Sequence, residues 1–293
     1  MIFLCVALEL GFVLSAVLLF DTYGSRKIAA AIALLFALLF PYFAPASPVL
    51  RAVLACMGLL AMVKVLQIAT KPARWAAQPR IWHALAPFDI DRTARVSPAL
   101  DWRLLIVLVA YALLAFAAGF ELAHPLPLTT GYWFWFRILL GCALVYCGME
   151  VITGAIRFLH RLAGVDVPPI QRMPILSQSI AEFWSKRWNR SVSGWLSEFV
   201  FLPLVRRRRP VLALIAAFAA SAALHAWMFF VAAGGQAALM ASTFFLLQAA
   251  LVLVESRLHI ARWPSPVRRL WTLGLLFASS PLFVLPVLQA LRL

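Results

Sequence analysis

Charged residues are scarce in this sequence, and acidic ones most of all. Only 13% of the 293 residues are charged, and 11 Asp and Glu stand against 26 Lys and Arg. Soluble globular domains carry charge on about a quarter of their residues, whereas here 64% of the residues are hydrophobic. The composition therefore excludes the soluble globular class and predicts an integral membrane protein.

Cysteine is also sparse, and its placement excludes two further classes. The four cysteines lie within apolar stretches, with no CxxC pair and no histidine at ligand spacing: Cys5, Cys56, Cys142 and Cys147. This pattern predicts neither a disulfide framework nor a metal site. No basic residue precedes the first apolar run, and Glu9 lies inside it, so we expect a retained helix rather than a cleavable leader.

Long apolar runs, by contrast, recur along the whole chain. A helix that crosses about 30 Å of hydrocarbon needs about 20 apolar residues. Eight segments are candidates: 2–20, 28–43, 49–69, 104–122, 133–157, 210–232, 237–255 and 270–290. We predict an all-α, multi-pass transmembrane bundle of about eight spans that forms a single domain over residues 1–293.

The basic residues are sorted by connection. They concentrate after the odd-numbered spans, above all in the two long connections 70–103 and 158–209, so the positive-inside rule places these in the cytoplasm. This sorting, together with anionic lipid headgroups, accounts for the net charge of +15, and we expect membrane lipids rather than nucleic acid as partners. The high usage of Ala, Leu and Arg favours a bacterial inner membrane over the endoplasmic reticulum.

The second long connection contains the sequence FWSKRWNR at residues 183–190, which we name the signature segment. Ser179 with Glu182 three residues later fits a capping box, and the spacing of apolar residues from Ile180 predicts one amphipathic helix at the membrane interface. The helix would separate an aromatic face from a polar one: Phe183, Trp184 and Trp188 against Lys186 and Asn189. Interfacial anchoring alone would explain such a helix.

His225 lies inside the next apolar run, LALIAAFAASAALHAWMFFVA. About 15 residues at about 1.5 Å each place it at hydrocarbon depth, where an ionisable group is a functional candidate. The small residues before it allow a substrate chain or another helix to approach closely. A desolvated imidazole stays neutral and can take a proton from an alcohol, while a histidine hydrogen-bonded to a neighbouring helix is the structural alternative.

These two features together resemble the wax synthase-like branch of the membrane-bound O-acyltransferases. The signature segment is similar to that branch's aromatic–Trp pair followed by a basic residue and Arg-Trp-Asn, and SAALHAW stands where the family carries a histidine. The resemblance covers roughly residues 178–230 and matches six positions: Phe183, Trp184, Arg187, Trp188, Asn189 and His225. One departure is that Ala226 and Trp227 follow the histidine, where the family often has a polar residue.

The resemblance implies acyl transfer from acyl-CoA to a hydroxyl acceptor, a lipophilic alcohol above all. It makes His225 the general base and gives Asn189 a role in orienting the thioester or stabilising the oxyanion. Acyl-CoA is then a co-substrate, with no cofactor and no acyl-enzyme. The remaining positions of the segment are implied in substrate binding: Phe183, Trp184, Lys186, Arg187, Trp188 and Arg190.

Two other classes stay open at this level. A proton-coupled transporter or permease would also use intramembrane acids and histidine, although no internal repeat is visible. A non-catalytic scaffold would tolerate replacement of His225. Glu150 and Glu255 are either structural or catalytic, and an ion pair is the favoured role because three basic neighbours could pair with them: Arg157, His160 and Arg257. Acyl length, acceptor identity and oligomeric state are not determined by the sequence.

Overall fold

The computed structural model describes residues 2–19, 24–44, 47–70, 77–124 and 131–293. Six helices precede the second long connection: α1 (Ile2–Leu19), α2 (Gly24–Phe43), α3 (Pro48–Thr70), α4 (Ala77–Leu85), α5 (Trp102–Ala123) and α6 (Gly131–Leu162). Seven lie within this connection or after it: α7 (Ile180–Glu182), α8 (Arg190–Leu196), α9 (Leu202–Arg206), α10 (Pro210–Ala233), α11 (Gly235–Arg257), α12 (Ser265–Ser279) and α13 (Pro281–Leu291). The all-α, multi-pass architecture is confirmed.

Helices occupy all eight segments predicted to span, but they are not equivalent. Within the described residues, α3, α5, α6, α10 and α11 are long and apolar enough to cross a membrane, and the pair α12–α13 adds a sixth if it is one span. This pair is bent by 48° because Ser280 and Pro281 interrupt it. The apolar parts of α1 and α2 are shorter, so the count of eight stays a prediction.

Two packing units meet at α10. Helices α1, α2 and α3 pack on one another, and α3 also contacts α10. Helix α10 pairs extensively with α11, and α13 packs against α6, α10 and α11. A cluster of buried apolar residues fills the contact between α10 and α11: Phe218, Ala222, Phe244, Phe245 and Ala249. The histidine-bearing helix is therefore held on two sides by other long helices.

The two long connections lie together. Strand β1 (Ala94–Arg95) pairs antiparallel with β2 (Val165–Asp166), and the Ser191 hydroxyl donates a hydrogen bond to the Pro87 carbonyl. Buried Phe88 and Val167 belong to one apolar cluster that joins the connections. Their contact places both connections on one side of the helical bundle, as the charge sorting predicts.

The first long connection is partly helical and is fixed to the rest of the structure. It contains α4, whose Trp82 stacks on His160, and the Trp82 indole N–H also donates a 3.3 Å hydrogen bond to His160 Nε2. The Lys64 ammonium of α3 donates a 2.7 Å hydrogen bond to the Phe88 carbonyl and fixes this connection to the bundle.

The prediction of one continuous amphipathic helix from Ile180 is wrong. The chain forms α7, a π-helical turn over Phe183–Arg187, a break at Trp188 and Asn189, and then α8. Asn189 adopts a left-handed conformation with φ 38°, which asparagine tolerates better than most residues. The break is held by pairing with the preceding loop, because Arg172 N–H donates to the Arg187 carbonyl and Arg190 N–H donates to the Ile170 carbonyl.

Candidate active site

A large cavity of about 1030 Å³, which we name the central cavity, lies between the long helices and the signature segment. Its walls come from α6, α10, α11 and the bent pair α12–α13, and they are mostly apolar. The signature segment forms one wall, contributing Phe183, Trp184, Trp188 and Asn189. His225 lines the same cavity from α10.

The orientation of His225 is fixed by its own helix and by two aromatic rings. Its Nδ1 lies 2.8 Å from the carbonyl oxygen of Ser221. Because a carbonyl only accepts, Nδ1 carries the proton in this contact and Nε2 keeps a free lone pair. The imidazole packs on Phe245, with ring centroids 4.1 Å apart, and on Phe283. The polar support for His225 thus comes from a backbone carbonyl, in place of the polar neighbour that Ala226 and Trp227 do not supply.

Asn189 reaches the central cavity because the helix breaks at this residue. Its backbone N–H donates a 3.0 Å hydrogen bond to the side-chain oxygen of Gln171. Its Oδ1 caps α8 by accepting from the Val192 N–H at 3.4 Å. In the described part of the chain Nδ2 has no hydrogen-bond partner, so this amide group is a donor that a ligand in the cavity can use.

The three aromatic residues of the segment form a connected wall. Phe183 stacks on Trp188 at 5.5 Å with 12° between the ring planes, and Trp184 meets Phe183 edge-on. The Trp184 indole N–H donates to Oε1 of Gln248 at 3.3 Å, and the ring packs against Phe245. Residues of both predicted helical faces therefore line one cavity.

The three cations of the segment are placed differently, because none of them is among the residues that line the central cavity. Arg187 donates to Oε1 of Glu182 at 2.7 Å and to the Arg172 carbonyl at 3.2 Å. Arg190 donates to the Pro169 carbonyl at 3.1 Å, while Lys186 is exposed. The location of the cavity therefore supports the predicted substrate contact of the aromatic residues but not that of the three cations.

Glu182 supports this outer side. The Ser179 hydroxyl accepts from the Glu182 N–H, as the predicted capping box requires, but Oε2 of Glu182 accepts from the Gln178 N–H at 2.8 Å and not from that of Ser179. Burial raises the pKa of the Glu182 carboxyl, but the Gln178 amide and the Arg187 guanidinium outweigh burial. The net result is a pKa below its ordinary value.

Sequence reasoning missed two polar residues that hold the site, Gln171 and Gln248, and gave a third, Glu255, different partners. For Gln248 a signal was present, because a polar glutamine within the apolar run of α11 indicates a buried hydrogen-bonding role. The predicted ion pair of Glu255 with Arg257 is wrong, since its carboxylate binds backbone N–H groups of α7 instead. Glu150 and Arg157 do line one small cavity of about 100 Å³.

The fold and the central cavity define a multi-pass membrane protein with a chamber between its long helices and the signature segment. Residues 167–247 match the membrane bound O-acyl transferase family. This match, over part of the chain, confirms the resemblance carried by the signature segment and His225. Both features lie within the matched range.

Three individual proteins are similar to this chain. The chain is 29% identical over 162 residues to the probable long-chain-alcohol O-fatty-acyltransferase 3 of Arabidopsis thaliana, covering 50% of this chain and 47% of that protein. It is 30% identical to the long-chain-alcohol O-fatty-acyltransferase of Simmondsia chinensis, covering 44% and 38%. Acyl-CoA–sterol O-acyltransferase 1 of A. thaliana is 24% identical, covering 48% and 45%. The chain spans less than half the length of each of these relatives. The names of the two long-chain-alcohol acyltransferases agree with the wax synthase-like branch.

Proposed function

We propose that the protein transfers an acyl group from acyl-CoA to the hydroxyl of a lipophilic alcohol inside the central cavity. The observation that carries this proposal is that His225 and Asn189, on separate elements, line one apolar cavity. Nε2 of His225 offers a lone pair and Nδ2 of Asn189 offers a donor. A proton acceptor and an oxyanion donor facing one chamber are what acyl transfer requires.

The reaction conserves protons. Nε2 of His225 takes the proton of the acceptor hydroxyl, and the oxygen attacks the thioester carbonyl carbon. The tetrahedral intermediate carries its negative charge on the former carbonyl oxygen, to which Asn189 Nδ2 donates. When the carbon–sulfur bond breaks, the thiolate leaves and takes the proton from the imidazolium. The enzyme returns to its starting state without a covalent acyl-enzyme or a cofactor.

The residues in and around the cavity suit both proposed substrates, acyl-CoA and a lipophilic alcohol. Its walls are apolar, which suits a fatty acyl chain and a lipophilic acceptor. The names of the relatives supply long-chain alcohols and a sterol as acceptor classes. Exposed Arg206 to Arg209 directly precede Pro210 and Val211, which line the cavity, so the phosphates of CoA can meet positive charge at its edge.

The localisation that we propose is that of an integral membrane protein, without a particular membrane. Several apolar helices and the family place the chain in a membrane as a multi-pass protein. The relatives named above are plant proteins, which gives the preference for a bacterial inner membrane no support, and that preference stays a prediction.

The test is thiol release and ester formation with acyl-CoAs from acetyl to palmitoyl and a mixture of long-chain, sterol and terpenoid alcohols, using protein in nanodiscs. His225→Ala should lower kcat by about 10²–10⁴-fold. His124→Ala is the matched control, because His124 is exposed and its Nδ1 also contacts the carbonyl four residues earlier, that of Phe120. It should retain full activity.

Two results would overturn parts of the proposal separately. If the wild-type protein forms no ester from any donor, the proposed activity is wrong. If esters form and His225→Ala is as active as His124→Ala, the activity stands and the assigned base is wrong.

A further inference from the structure

One face of α11 contacts both the histidine and the signature segment. The residues Phe245, Gln248, Val252 and Glu255 follow one another at intervals of three and four, so they share a face of the helix. We name this set the α11 stripe. Phe245 packs on the His225 ring and on the Trp184 ring, with centroids 4.1 and 5.4 Å apart. The stripe therefore stands between the two parts of the site.

Glu255 binds the start of the signature region directly. Both carboxylate oxygens lie 2.9 Å from the Ile180 N–H, and Oε2 lies 3.4 Å from the Ala181 N–H. Only 4% of Glu255 is exposed, and Ile180 is fully buried. The first amides of a helix have no partner within the helix, and here water cannot replace the carboxylate.

Gln248 makes the second contact, seven residues or two helical turns before Glu255. Its Oε1 accepts from the Trp184 indole, and its Nε2 donates to the Ser279 hydroxyl at 2.9 Å. Gln248 is fully buried, so both halves of its amide are committed to these partners. The α11 stripe thus binds the backbone of residues 180–181 and the side chain of Trp184.

We propose that Glu255 is a positioning residue for acyl transfer, which acts by holding the signature segment, and with it Asn189, in register with His225. This inference rests on the proposed function. His225 lies on α10, which packs against α11, so the stripe is a common reference for both groups. The buried carboxylate near the end of α11 then has a structural purpose, which is to bind the backbone of residues 180–181.

A displacement of the segment should affect the transition state more than substrate binding. Most of the apolar wall comes from other helices, whereas Asn189 depends on the segment. Misplacing a reacting group by about 1 Å can cost about 100-fold in rate. We expect Glu255→Ala to lower kcat by about 10–100-fold, with KM for acyl-CoA within about twofold of wild type. Glu255→Gln keeps one carbonyl oxygen for the Ile180 N–H and should lose only about 3–10-fold.

The deciding experiment is a double-mutant cycle between Glu255→Gln and Asn189→Ala, with Ser256→Ala as the control. The exposed Ser256 hydroxyl contacts only the Leu253 carbonyl of its own helix. If Glu255 acts through the segment that carries Asn189, the loss from Glu255→Gln should largely disappear once Asn189 is removed. An equal loss in both backgrounds, or no loss in either, would overturn the inference.

A second readout does not depend on activity. Lys186 is exposed in the segment, so trypsin should cleave there faster in Glu255→Gln than in wild type or Ser256→Ala. If the wild-type protein forms no ester while this cleavage is accelerated, the proposed function fails and the anchoring of the segment stands. If cleavage is unchanged, the anchoring itself is refuted.

Discussion

The two sides of the eight-residue signature segment differ in the contacts that they make. The side facing the central cavity carries Trp184, Trp188 and Asn189, whose contacts are stacked rings, one indole hydrogen bond and a free amide donor. The outer side carries Arg187 and Arg190, whose guanidinium groups bind carbonyls of the preceding loop. The sequence motif is therefore partly a binding surface and partly a clamp that holds this surface in place.

This difference explains why the basic residues of a motif need not be its ligand contacts. A break at Asn189 can persist only if the chain on both sides is held by other hydrogen bonds. Arg187 and Arg190 supply them on either side of the break, together with the Gln171 side chain at Asn189 itself. We infer that substitutions on the cavity side reduce kcat, whereas those on the outer side reduce stability.

The strongest test on the cavity side is Asn189→Asp. Aspartate also tolerates the left-handed conformation and can cap the Val192 N–H, but it has no N–H donor and brings a negative charge toward the oxyanion. Loss of one oxyanion donor costs about 10²–10³-fold, and we expect kcat to fall by that amount in the ester-forming assay. The thermal midpoint should stay near that of wild type.

The control is Asn189→Gly, which keeps the backbone conformation and loses both the cap and the donor. It should lose as much kcat as Asn189→Asp and more stability. Wild-type activity in Asn189→Asp would show that Asn189 only shapes the backbone, and the difference between the two sides would then disappear.

The sequence predicts much of the helical architecture, because apolar runs of about 20 residues have few structural alternatives in a membrane. The bend at Ser280 is harder to foresee, since Pro281 at the start of a helix is compatible with a straight span or a broken one. The short pairing of β1 with β2 depends on the meeting of two connections about 70 residues apart, which no local pattern encodes.

The residues of the candidate site were predictable from the sequence, whereas the backbone geometry of the signature segment was not. His225 stands out as an ionisable residue in a span, and the resemblance links it to Asn189. The helical periodicity of the segment nevertheless predicted the wrong geometry, because Gln171 and the 170–172 backbone override local propensity at the break. Glu255 was visible as a membrane-embedded acid, but its partners are backbone amides, and these carry no sequence signal.

On the outer side, Glu182→Gln should affect stability. The pKa of Glu182 is lowered in the folded protein, so its ionised form stabilises the fold above its unfolded pKa near about 4.3, and this contribution is lost as the pH falls through the lower folded value. The side chain is partly exposed, and we expect a decrease in thermal midpoint of about 2–4 °C near neutral pH. The difference from wild type should shrink below about pH 4.

Asp166→Asn, at an exposed carboxylate of the same connection, is the control for loss of charge alone. It should leave the thermal midpoint unchanged. The kcat of Glu182→Gln should remain within about threefold of wild type, because the cavity wall keeps its other supports. A large fall in kcat without a change in midpoint would contradict the division between the two sides.

The smallest effect is expected for Lys186→Ala. Its side chain is exposed and outside the cavity lining, and the Arg206 to Arg209 run offers four cations beside Pro210 for the CoA phosphates. KM for acyl-CoA should change less than about twofold at physiological ionic strength, where exposed charges are screened beyond about 8 Å. Replacing two arginines of that run should raise KM more, and more strongly at low salt. If Lys186→Ala instead raises KM about tenfold, the phosphates lie against the signature segment, and the outer side would be a ligand surface after all.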